Sequence, residues 1–427
     1  MRRIKAFSLF FCLVVFLTAC STLPSKNEPA DGNNGNTSPE PVIVDTPEPE
    51  PVDILISAVG DIMVHQMQLD AQYNSSTKQY DFTNNFQYIK PYIQRADLSL
   101  ANLETTFAGD ARKYSGYPMF NTPDAMADAL KDAGFDVIST SNNHAYDKGT
   151  DGLIRTVDVL EDRNLGVIGT KRQPEDESFM IVDVKGIQVG LSAYTYETPR
   201  YNGQRTINSI VLSSEAQGLI DSFGFEDLDT DLKEMTDRVR LMREKGAEVV
   251  VFFMHWGNEY HRQPSTTQKQ IAETLIDAGV DIIFGSHPHV IQPIDLITTS
   301  SGRQGVVAYS LGNFLSNQRY EFLKQPYTED GMVVSVSVTK EPDGEIILSE
   351  VSYTPTWVHR YKTGGQIGYN IVPLPDALDD RDTFNLFTDD SVRRAQNALN
   401  NTAEIVSTDS LSPIPVHSLF TPQTYQQ

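Results

Sequence analysis

The apolar positions of the chain form short runs, and three of these runs follow helix-like stretches that end at a glycine. Each of the three units has the same local order: a glycine, one intervening residue, an acidic residue, and an apolar run rich in β-branched side chains. The units cover residues 131–144, 243–257 and 276–289. Glycine ends helices in the left-handed conformation without strain, and such uninterrupted apolar runs are typical of strands covered on both faces. The pattern predicts a layered α/β body rather than an all-helical protein or a β-sandwich.

Polar side chains follow each of these apolar runs, and also follow two further predicted strands at residues 53–59 and 97–101. In α/β sheets, ligands gather beyond the carboxyl ends of the strands, because loops from several strands meet at that edge. We therefore expect residues that are far apart in sequence to share one pocket. These strand-end residues are Asp61, Asn102, Glu104, Asn143, His144, His255, His287 and His289.

The residue types at the strand ends indicate a metal site without thiolates. The only two cysteines, Cys12 and Cys20, lie in the first twenty residues, so the body offers only oxygen and nitrogen donors. Carboxylates, an amide oxygen and imidazoles suit divalent Mn, Fe, Co or Zn, and a shared carboxylate can bridge two ions. Two such ions activate a bridging water and clamp the oxygens of a phosphoryl group. The sequence therefore predicts a site for one or two divalent ions.

The first 52 residues are predicted to export and tether the protein. Residues 1–19 combine three basic side chains with a short apolar run, which is typical of a signal peptide, and residues 17–20 resemble a bacterial lipobox. Cleavage before Cys20 would leave that cysteine for lipid attachment, which predicts an extracytoplasmic protein anchored to the cell membrane. The alternative is that Cys20 is an ordinary residue of a cleaved or retained apolar segment. Residues 20–52, rich in proline and acidic side chains and without an aromatic residue, predict a disordered tether.

Charge excludes one class of partner. The chain has 57 acidic and 34 basic side chains, a formal net charge of -23. Nucleic acids are held by clustered lysine and arginine, and no basic run appears beyond the first five residues, so we expect no nucleic-acid partner. The predicted body covers residues 53–375. Residues 376–427 form a polar C-terminal extension with one predicted helix near residues 389–399.

Six short motifs resemble, in this order, those of the CapA family of poly-γ-glutamate capsule biosynthesis proteins. That family is placed among the calcineurin-like metallophosphoesterases, so the resemblance implies a four-layer α/β/β/α sandwich. It covers roughly residues 53–330. The motifs are Val59-Gly60-Asp61-Ile62-Met63, Asn102-Leu103-Glu104, Asn142-Asn143-His144 with Asp147, His255-Trp256-Gly257, Gly285-Ser286-His287-Pro288-His289 and Ser310-Leu311-Gly312-Asn313-Phe314.

The resemblance also implies a role for each strand-end residue. His144 would be the general acid that protonates the leaving oxygen, oriented by Asp147. Glu104 would bridge two ions. The remaining implied ligands are Asp61 and His289 for the first ion, and Asn143, His255 and His287 for the second.

Two positions depart from the classical metallophosphoesterase pattern. Met63 stands where the first strand end of that pattern, Asp-x-His, has its histidine, and Leu103-Glu104 replaces Gly-Asp at the second. A thioether is a poor ligand for hard or borderline ions, so the first site is one donor short. His65 could supply a nitrogen from four residues beyond Asp61, or could be a simple polar loop residue.

Four further residues are candidates for substrate binding, namely Asn102, Asn313, His261 and Arg262. Asn313 could instead stabilise a turn, and His261 and Arg262 could be solvated loop residues. Two function classes remain. The first is a metal-dependent hydrolase of a phosphate ester or a polymer linkage. The second is a non-catalytic subunit that holds or exports an anionic polymer beside a membrane-bound capsule synthase.

Overall fold

A computed structural model describes residues 50–406 and 415–416 of the 427-residue chain. The predicted signal peptide, the predicted lipidation site Cys20 and the predicted tether up to residue 49 lie outside the described residues. Residues 407–414 and 417–427 also lie outside them. Across the described ranges, no helix is both long and apolar enough to cross a membrane.

The described residues form twenty strands, several of them only two to four residues long. In chain order they are β1 (Val52–Ile62), β2 (Tyr73–Asn74), β3 (Gln79–Tyr80), β4 (Leu98–Leu103), β5 (Val137–Ser139), β6 (Gly166–Ile168), β7 (Met180–Val184), β8 (Ile187–Tyr196), β9 (Thr198–Tyr201), β10 (Gln204–Ile207), β11 (Ile210–Val211), β12 (Ser222–Phe223), β13 (Val249–His255), β14 (Ile282–Ser286), β15 (Ile294–Thr298), β16 (Gln304–Ala308), β17 (Asn313–Leu315), β18 (Asp330–Lys340), β19 (Ile346–Thr363) and β20 (Gln366–Pro373).

Ten α-helices lie between or after these strands in the same part of the chain. They are α1 (Gln66–Gln72), α2 (Thr83–Phe86), α3 (Lys90–Ile93), α4 (Ala125–Ala133), α5 (Gly149–Glu161), α6 (Leu228–Glu244), α7 (Thr266–Ala278), α8 (Tyr320–Leu323), α9 (Leu374–Asp379) and α10 (Asp389–Val406).

Two large sheets carry the fold. The first has the order β20-β19-β18-β1-β4-β5-β6, with β17 beside β1, and its β1, β4, β5 and β6 strands are parallel. The second has the order β12-β8-β13-β14-β16-β15, with β7 beside β8, and its five strands from β12 to β16 in that order are parallel. The parallel strands of both sheets therefore bring several carboxyl ends to a common edge.

The apolar core has three layers of contact, and these confirm the predicted four-layer α/β/β/α sandwich. Strand β13 shows the arrangement: Val249, Val251 and Phe253 pack between the two sheets, and the intervening residues pack beneath α6 and α7. The other face of the first sheet packs against α1, α2 and α4. Because both faces of the central strands are covered, their sequences are apolar throughout rather than alternating.

The repeated glycine and acidic signals have separate structural roles. Gly134, Gly246 and Gly279 follow α4, α6 and α7 with φ of 104°, 100° and 120°, as the sequence predicts. The acidic residue two positions later accepts a backbone N–H from a neighbouring strand, at 2.9 Å for Asp136 and 2.7 Å for Asp281. The carboxylates thus satisfy strand N–H groups at the edge opposite the strand-end residues.

The predicted C-terminal helix is present as α10 and extends to Val406. Its Ala395 and Ala398 pack with Trp357 of β19 and with apolar residues that surround α9. Asn401 of α10 also donates a hydrogen bond to Asp330 Oδ2 at 2.9 Å. The described part of the polar extension therefore packs against the first sheet through its apolar face.

Candidate metal centre

Six predicted ligands converge at the carboxyl edge, three from each sheet. Asp61 lies in β1, and Glu104 and Asn143 follow β4 and β5, all of the first sheet. The second sheet supplies the three histidines: one ends β13, and the other two follow β14. All six are at most 4% exposed, and the histidines are His255, His287 and His289.

Contacts within this group pair carboxylate and amide oxygens with imidazole nitrogens. Asp61 Oδ2 lies 3.0 Å from His289 Nδ1, and Asn143 Oδ1 lies 2.8 Å from His255 Nε2. Glu104 Oε1 lies 3.7 Å from His255 Nε2 and 3.9 Å from His289 Nε2. Glu104 is therefore central to the group, as expected for the residue implied as a bridge.

Donor atoms within 4.8 Å of one another form two overlapping groups of three, Glu104 with His287 and His289, and Glu104 with Asp61 and His255. Glu104 belongs to both. Both of its carboxylate oxygens are buried without a hydrogen-bond partner, and so is His287 Nδ1. A buried carboxylate without donors is costly unless a cation satisfies it. These unpartnered oxygen and nitrogen atoms therefore fit a divalent ion.

Burial shifts the protonation equilibria of Glu104, His255 and His287 toward their neutral forms. Burial, reinforced by the nearby charge of Asp61, raises the pKa of Glu104 well above its ordinary value. Burial and the neighbouring imidazoles lower the pKa of His255 and His287 well below the ordinary value. Neutral imidazole is the form that binds metal, and a bound cation would favour the charged form of Glu104.

The turn after β14 holds its two histidines in an unusual backbone conformation. His287 and His289 have φ of 94° and 57°, a region that non-glycine residues seldom adopt. Such strain persists only where the surroundings fix it, and it is common at functional sites. Here the His287 backbone N–H donates to Asp61 Oδ2 at 3.3 Å, which ties the turn to β1.

The two asparagines predicted to bind substrate instead contact the ligands. Asn102 Nδ2 donates to Asp61 Oδ1 at 2.8 Å, and Asn313 Oδ1 lies 3.1 Å from His289 Nδ1. Asn313 Nδ2 also donates to the Thr328 carbonyl oxygen at 2.9 Å. Both asparagines are 0% exposed. Their side chains therefore contact predicted metal ligands, and their burial leaves them no exposed surface with which to contact a substrate.

His144 and Asp147 form the predicted pair beside the ligands. His144 Nδ1 lies 2.8 Å from Asp147 Oδ2, which also accepts the Phe120 backbone N–H at 2.6 Å. The Phe120 ring meets the imidazole edge-on, with centroids 4.7 Å apart. The His144 backbone N–H donates to Asn142 Oδ1 at 3.1 Å. The ring is thus fixed through Nδ1 while Nε2 stays available.

A cavity of about 420 Å³ lies beside this centre, and its lining includes His144 and His289. Met63 and His65 also line it. His65 Nδ1 accepts the Asn317 backbone N–H at 3.2 Å, and burial lowers the pKa of His65 to about 4. A neutral ring that accepts at Nδ1 carries its proton on Nε2, so in this tautomer His65 is a hydrogen-bond donor rather than a metal ligand.

The other two predicted substrate contacts do not line this cavity. His261 is exposed, and Arg262 donates to the Asn401 carbonyl oxygen of α10 at 2.7 Å. The Arg262 guanidinium also lies 4.1 Å from the centroid of the Tyr327 ring. Arg262 therefore fixes the C-terminal helix, and neither residue is placed to contact a ligand in this cavity.

Sequence reasoning missed several residues that support the centre. Ser286 Oγ lies 2.8 Å from His255 Nδ1 and so fixes that ring. The Tyr196 ring lies 4.6 Å from the His287 ring, and Phe120 covers His144. Ser286 stands next to the His-Pro-His sequence, so its position was a usable signal. Phe120 and Tyr196 had no such signal, because aromatic residues are equally common in ordinary cores.

Comparison with known proteins supports the resemblance stated from the motifs. The profile of the bacterial capsule synthesis protein PGA_cap family matches residues 55–318. The capsule biosynthesis protein CapA of Bacillus anthracis is 28% identical over 272 residues, 62% of this chain and 60% of that protein. The PGA biosynthesis protein CapA of Bacillus subtilis (strain 168) is 27% identical over 299 residues, 69% and 70% of the two chains.

The match to the Bacillus anthracis protein thus spans less than two thirds of that relative's length. Among solved structures, a purple acid phosphatase from yellow lupin seeds covers 71% of this chain and 53% of its own, with 10% identity and a TM-score of 0.32. The family match includes all the predicted metal ligands and the His144–Asp147 pair. The chain therefore belongs to the bacterial capsule synthesis protein PGA_cap family.

Proposed function

We propose that this protein is a metal-dependent hydrolase of phosphoester type that acts in capsule biosynthesis, where poly-γ-glutamate is the polymer. One observation carries the proposal: Glu104 is fully buried, neither of its oxygens has a hydrogen-bond donor, and imidazoles surround it. That arrangement is costly in a protein without an ion and favourable in one with an ion.

The donor set favours Mn, Fe or Zn. Such an ion, held by Asp61, Glu104, Asn143 and the three ligand histidines, would supply Lewis acidity toward a phosphoryl oxygen and activation of a water. The asparagines that contact Asp61 and His289 would hold these ligands in place. Met63 lines the cavity where the classical pattern has a histidine, so the chain offers one donor fewer for the first ion, the one assigned to Asp61 and His289.

The chain itself supplies the proton for the leaving group. Asp147 holds His144 through Nδ1, which leaves Nε2 to donate to the leaving oxygen. Phe120 restricts the ring, and the cavity beside it has room for the alcohol part of an ester. His144 is outside the ligand groups, so it can exchange protons without binding an ion.

The location we propose is extracytoplasmic, with the protein anchored to the bacterial cell membrane through lipid on Cys20. The proposed partners are a membrane-bound capsule synthase complex and an anionic polymer or phosphoester substrate. The relatives from Bacillus anthracis and Bacillus subtilis carry names that refer to capsule and PGA biosynthesis, which supports this setting.

The competing function is a non-catalytic subunit that binds or exports the polymer. The ordered contact of His144 with Asp147 favours catalysis, because polymer binding alone needs no oriented proton donor. The two functions make different predictions for a variant that keeps the metal but loses the proton donor.

The experiment compares His144→Ala and His255→Ala by elemental analysis and by a screen of phosphate monoesters and diesters. We expect His255→Ala to lose metal. His144→Ala should keep its metal and lose turnover by about 10²- to 10⁴-fold. His261→Ala, an exposed histidine outside the cavity, is the matched control and should change neither. Wild-type protein with metal but no turnover, and no effect of His144→Ala on polymer production, would support the scaffold instead.

A further inference from the structure

A second cavity, of about 460 Å³, has a lining whose charge is opposite to that of the protein. Among the described residues, four cationic side chains line it, with Glu321 as the only acidic residue. The chain as a whole carries a formal net charge of -23, so such a concentration of cations is unusual within it. The cationic residues are Arg319, Arg360, Lys362 and Arg394. We call this the basic cavity.

Two of the four cations are already paired. Arg319 Nη2 lies 2.9 Å from Glu329 Oε2, and Arg394 forms ion pairs with Glu321 and Glu329. These pairs connect α10 to α8 and to Glu329, the residue directly before β18. A purely structural role accounts for Arg319 and Arg394, but it does not account for Arg360.

Arg360 and Lys362 form no ion pair with any carboxylate among the described residues. Both lie in β19, two positions apart, so their side chains leave the same face of the sheet roughly 7 Å apart along the strand. Lys362 is exposed and Arg360 is half-buried. Two unpaired cations on one face can therefore contact neighbouring anionic groups of a single ligand.

Arg319 also retains a donor without a hydrogen bond. Arg319 is 3% exposed, and its Nε makes no hydrogen bond. Burial lowers the pKa of Arg319, and although Glu329 opposes the shift, the positive charges of Arg394 and Arg360 add to it. Arg394 and Arg360 therefore repel the Arg319 cation, and an anion bound beside Arg360 would offset part of that repulsion.

Helix α8 stands between the basic cavity and the cavity beside the metal centre. Its Glu321 lines the basic cavity, and its Phe322 and Leu323 line the other. The Arg360 guanidinium lies 5.8 Å from the centroid of the Phe322 ring. No lysine or arginine lines the cavity beside the metal centre, where Glu259 is the acidic residue. That cavity alone is therefore poorly suited to an anionic chain.

We infer that the basic cavity is a binding site for a linear polycarboxylate chain, separate from the metal centre, with Arg360 and Lys362 as the cations that contact it. The planar guanidinium of Arg360 can bind a carboxylate through two parallel hydrogen bonds. Arg360 and Lys362 lie two positions apart on one strand, so they can contact successive carboxylates of a polymer. The choice of a polycarboxylate as the polymer rests on the proposed function in capsule biosynthesis. Binding at the basic cavity does not require that the protein be a hydrolase.

The test measures binding of fluorescent poly-L-glutamate to the full-length chain in detergent by fluorescence anisotropy at low salt. We expect the double variant Arg360→Ala/Lys362→Ala to bind at least about tenfold more weakly, with unchanged metal content and unchanged turnover of small phosphoesters. The control is Lys269→Ala/Arg381→Ala, which removes two exposed cations outside the cavity. It should bind as the wild type does.

Further measurements distinguish binding at the basic cavity from binding at the metal centre and from binding to a membrane. His255→Ala should still bind poly-L-glutamate, even if the protein proves to have no hydrolase activity. Loss of binding in His255→Ala would place the polymer on the metal and overturn the inference. Equal affinity of the double variant and the wild type would also overturn it, as would an equal loss in the control. Binding to vesicles of anionic phospholipid through Arg360 and Lys362, without binding of poly-L-glutamate, would assign the surface to the membrane instead.

Discussion

Replacement of Glu104 by methionine should make the protein more stable than the wild type when metal is absent. When metal is present, the variant should be less stable than the wild type. Methionine is close to glutamate in length and has no charged or strongly polar atoms. In the wild type, both carboxylate oxygens are buried without donors, and the pKa of Glu104 is raised well above its ordinary value. The charged carboxylate therefore has no hydrogen-bond donor, and its burial costs stability.

The expected magnitudes follow from this geometry. A buried polar group without a partner costs about 1–3 kcal/mol, which the variant recovers in the absence of metal. A metal present at about a hundred times its Kd adds roughly 2.7 kcal/mol to the free energy of unfolding of the wild type. The variant lacks the central ligand Glu104 and so loses this stabilisation. Because its pKa is raised, Glu104 keeps its proton in the folded wild type, whereas in the unfolded chain it loses that proton above about pH 4.3. The metal-free wild type therefore loses stability as the pH rises above that value. The advantage of the variant in chelator should therefore grow as pH rises.

The assay is urea unfolding of both proteins in chelator and in excess divalent metal, with the free energy of unfolding as the result. Glu197→Met is the control, because Glu197 is similarly buried but paired with Arg205. It should lower stability in both conditions, since it leaves a cation without its partner. The reasoning is refuted if Glu104→Met in chelator is destabilised as Glu197→Met is, or if metal stabilises Glu104→Met as much as the wild type.

Three other predictions concern other parts of the chain. Cys20→Ser should move the protein from the membrane to the soluble fraction, and pelleting of the variant at high salt would contradict lipid anchoring. Met63→His should raise metal stoichiometry in elemental analysis, because Met63 lines the cavity beside the ligands; no change would show that position 63 cannot reach an ion. Burial lowers the pKa of His359 to about 4, so its neutral form stabilises the fold above about pH 6.5 and this contribution is lost as pH falls toward 4. In urea unfolding, His359→Phe should reduce the change in the free energy of unfolding between about pH 4 and pH 6.5 by up to about 3 kcal/mol. An equal pH dependence of that free energy in the variant and the wild type would refute this prediction.

The convergence of the predicted metal ligands could be expected from the sequence because the signals for it are local. A glycine after a helix, an acidic residue and an apolar run mark where each strand begins, and the polar residue that ends the run marks the ligand. His255 and His287 are found in this way. Their separation in sequence is no obstacle, because parallel strands place their carboxyl ends on one edge.

The direction of side chains at that edge was less predictable. Asn102 and Asn313 are amides at strand ends, and residue type alone does not distinguish a group that contacts substrate from one that holds a ligand. Arg262 follows His255 closely in sequence, yet it binds α10, which comes from the far end of the chain. Such tertiary contacts have no local signature. The basic cavity has none either, since its residues come from three separate segments between positions 319 and 394.

Three of the predicted ligands come from each sheet, so an ion bound here would link the two sheets. Asp61 and His289 are 228 residues apart in sequence, so a metal that both hold closes a very long loop. The only cysteines of the chain, Cys12 and Cys20, precede the folded body, so no disulfide can perform this task within it. The ion would be the cross-link between the two halves of the sandwich. Because the complete ligand set forms only when both sheets have docked, tight capture of metal would come late in folding and would lock the sheets together.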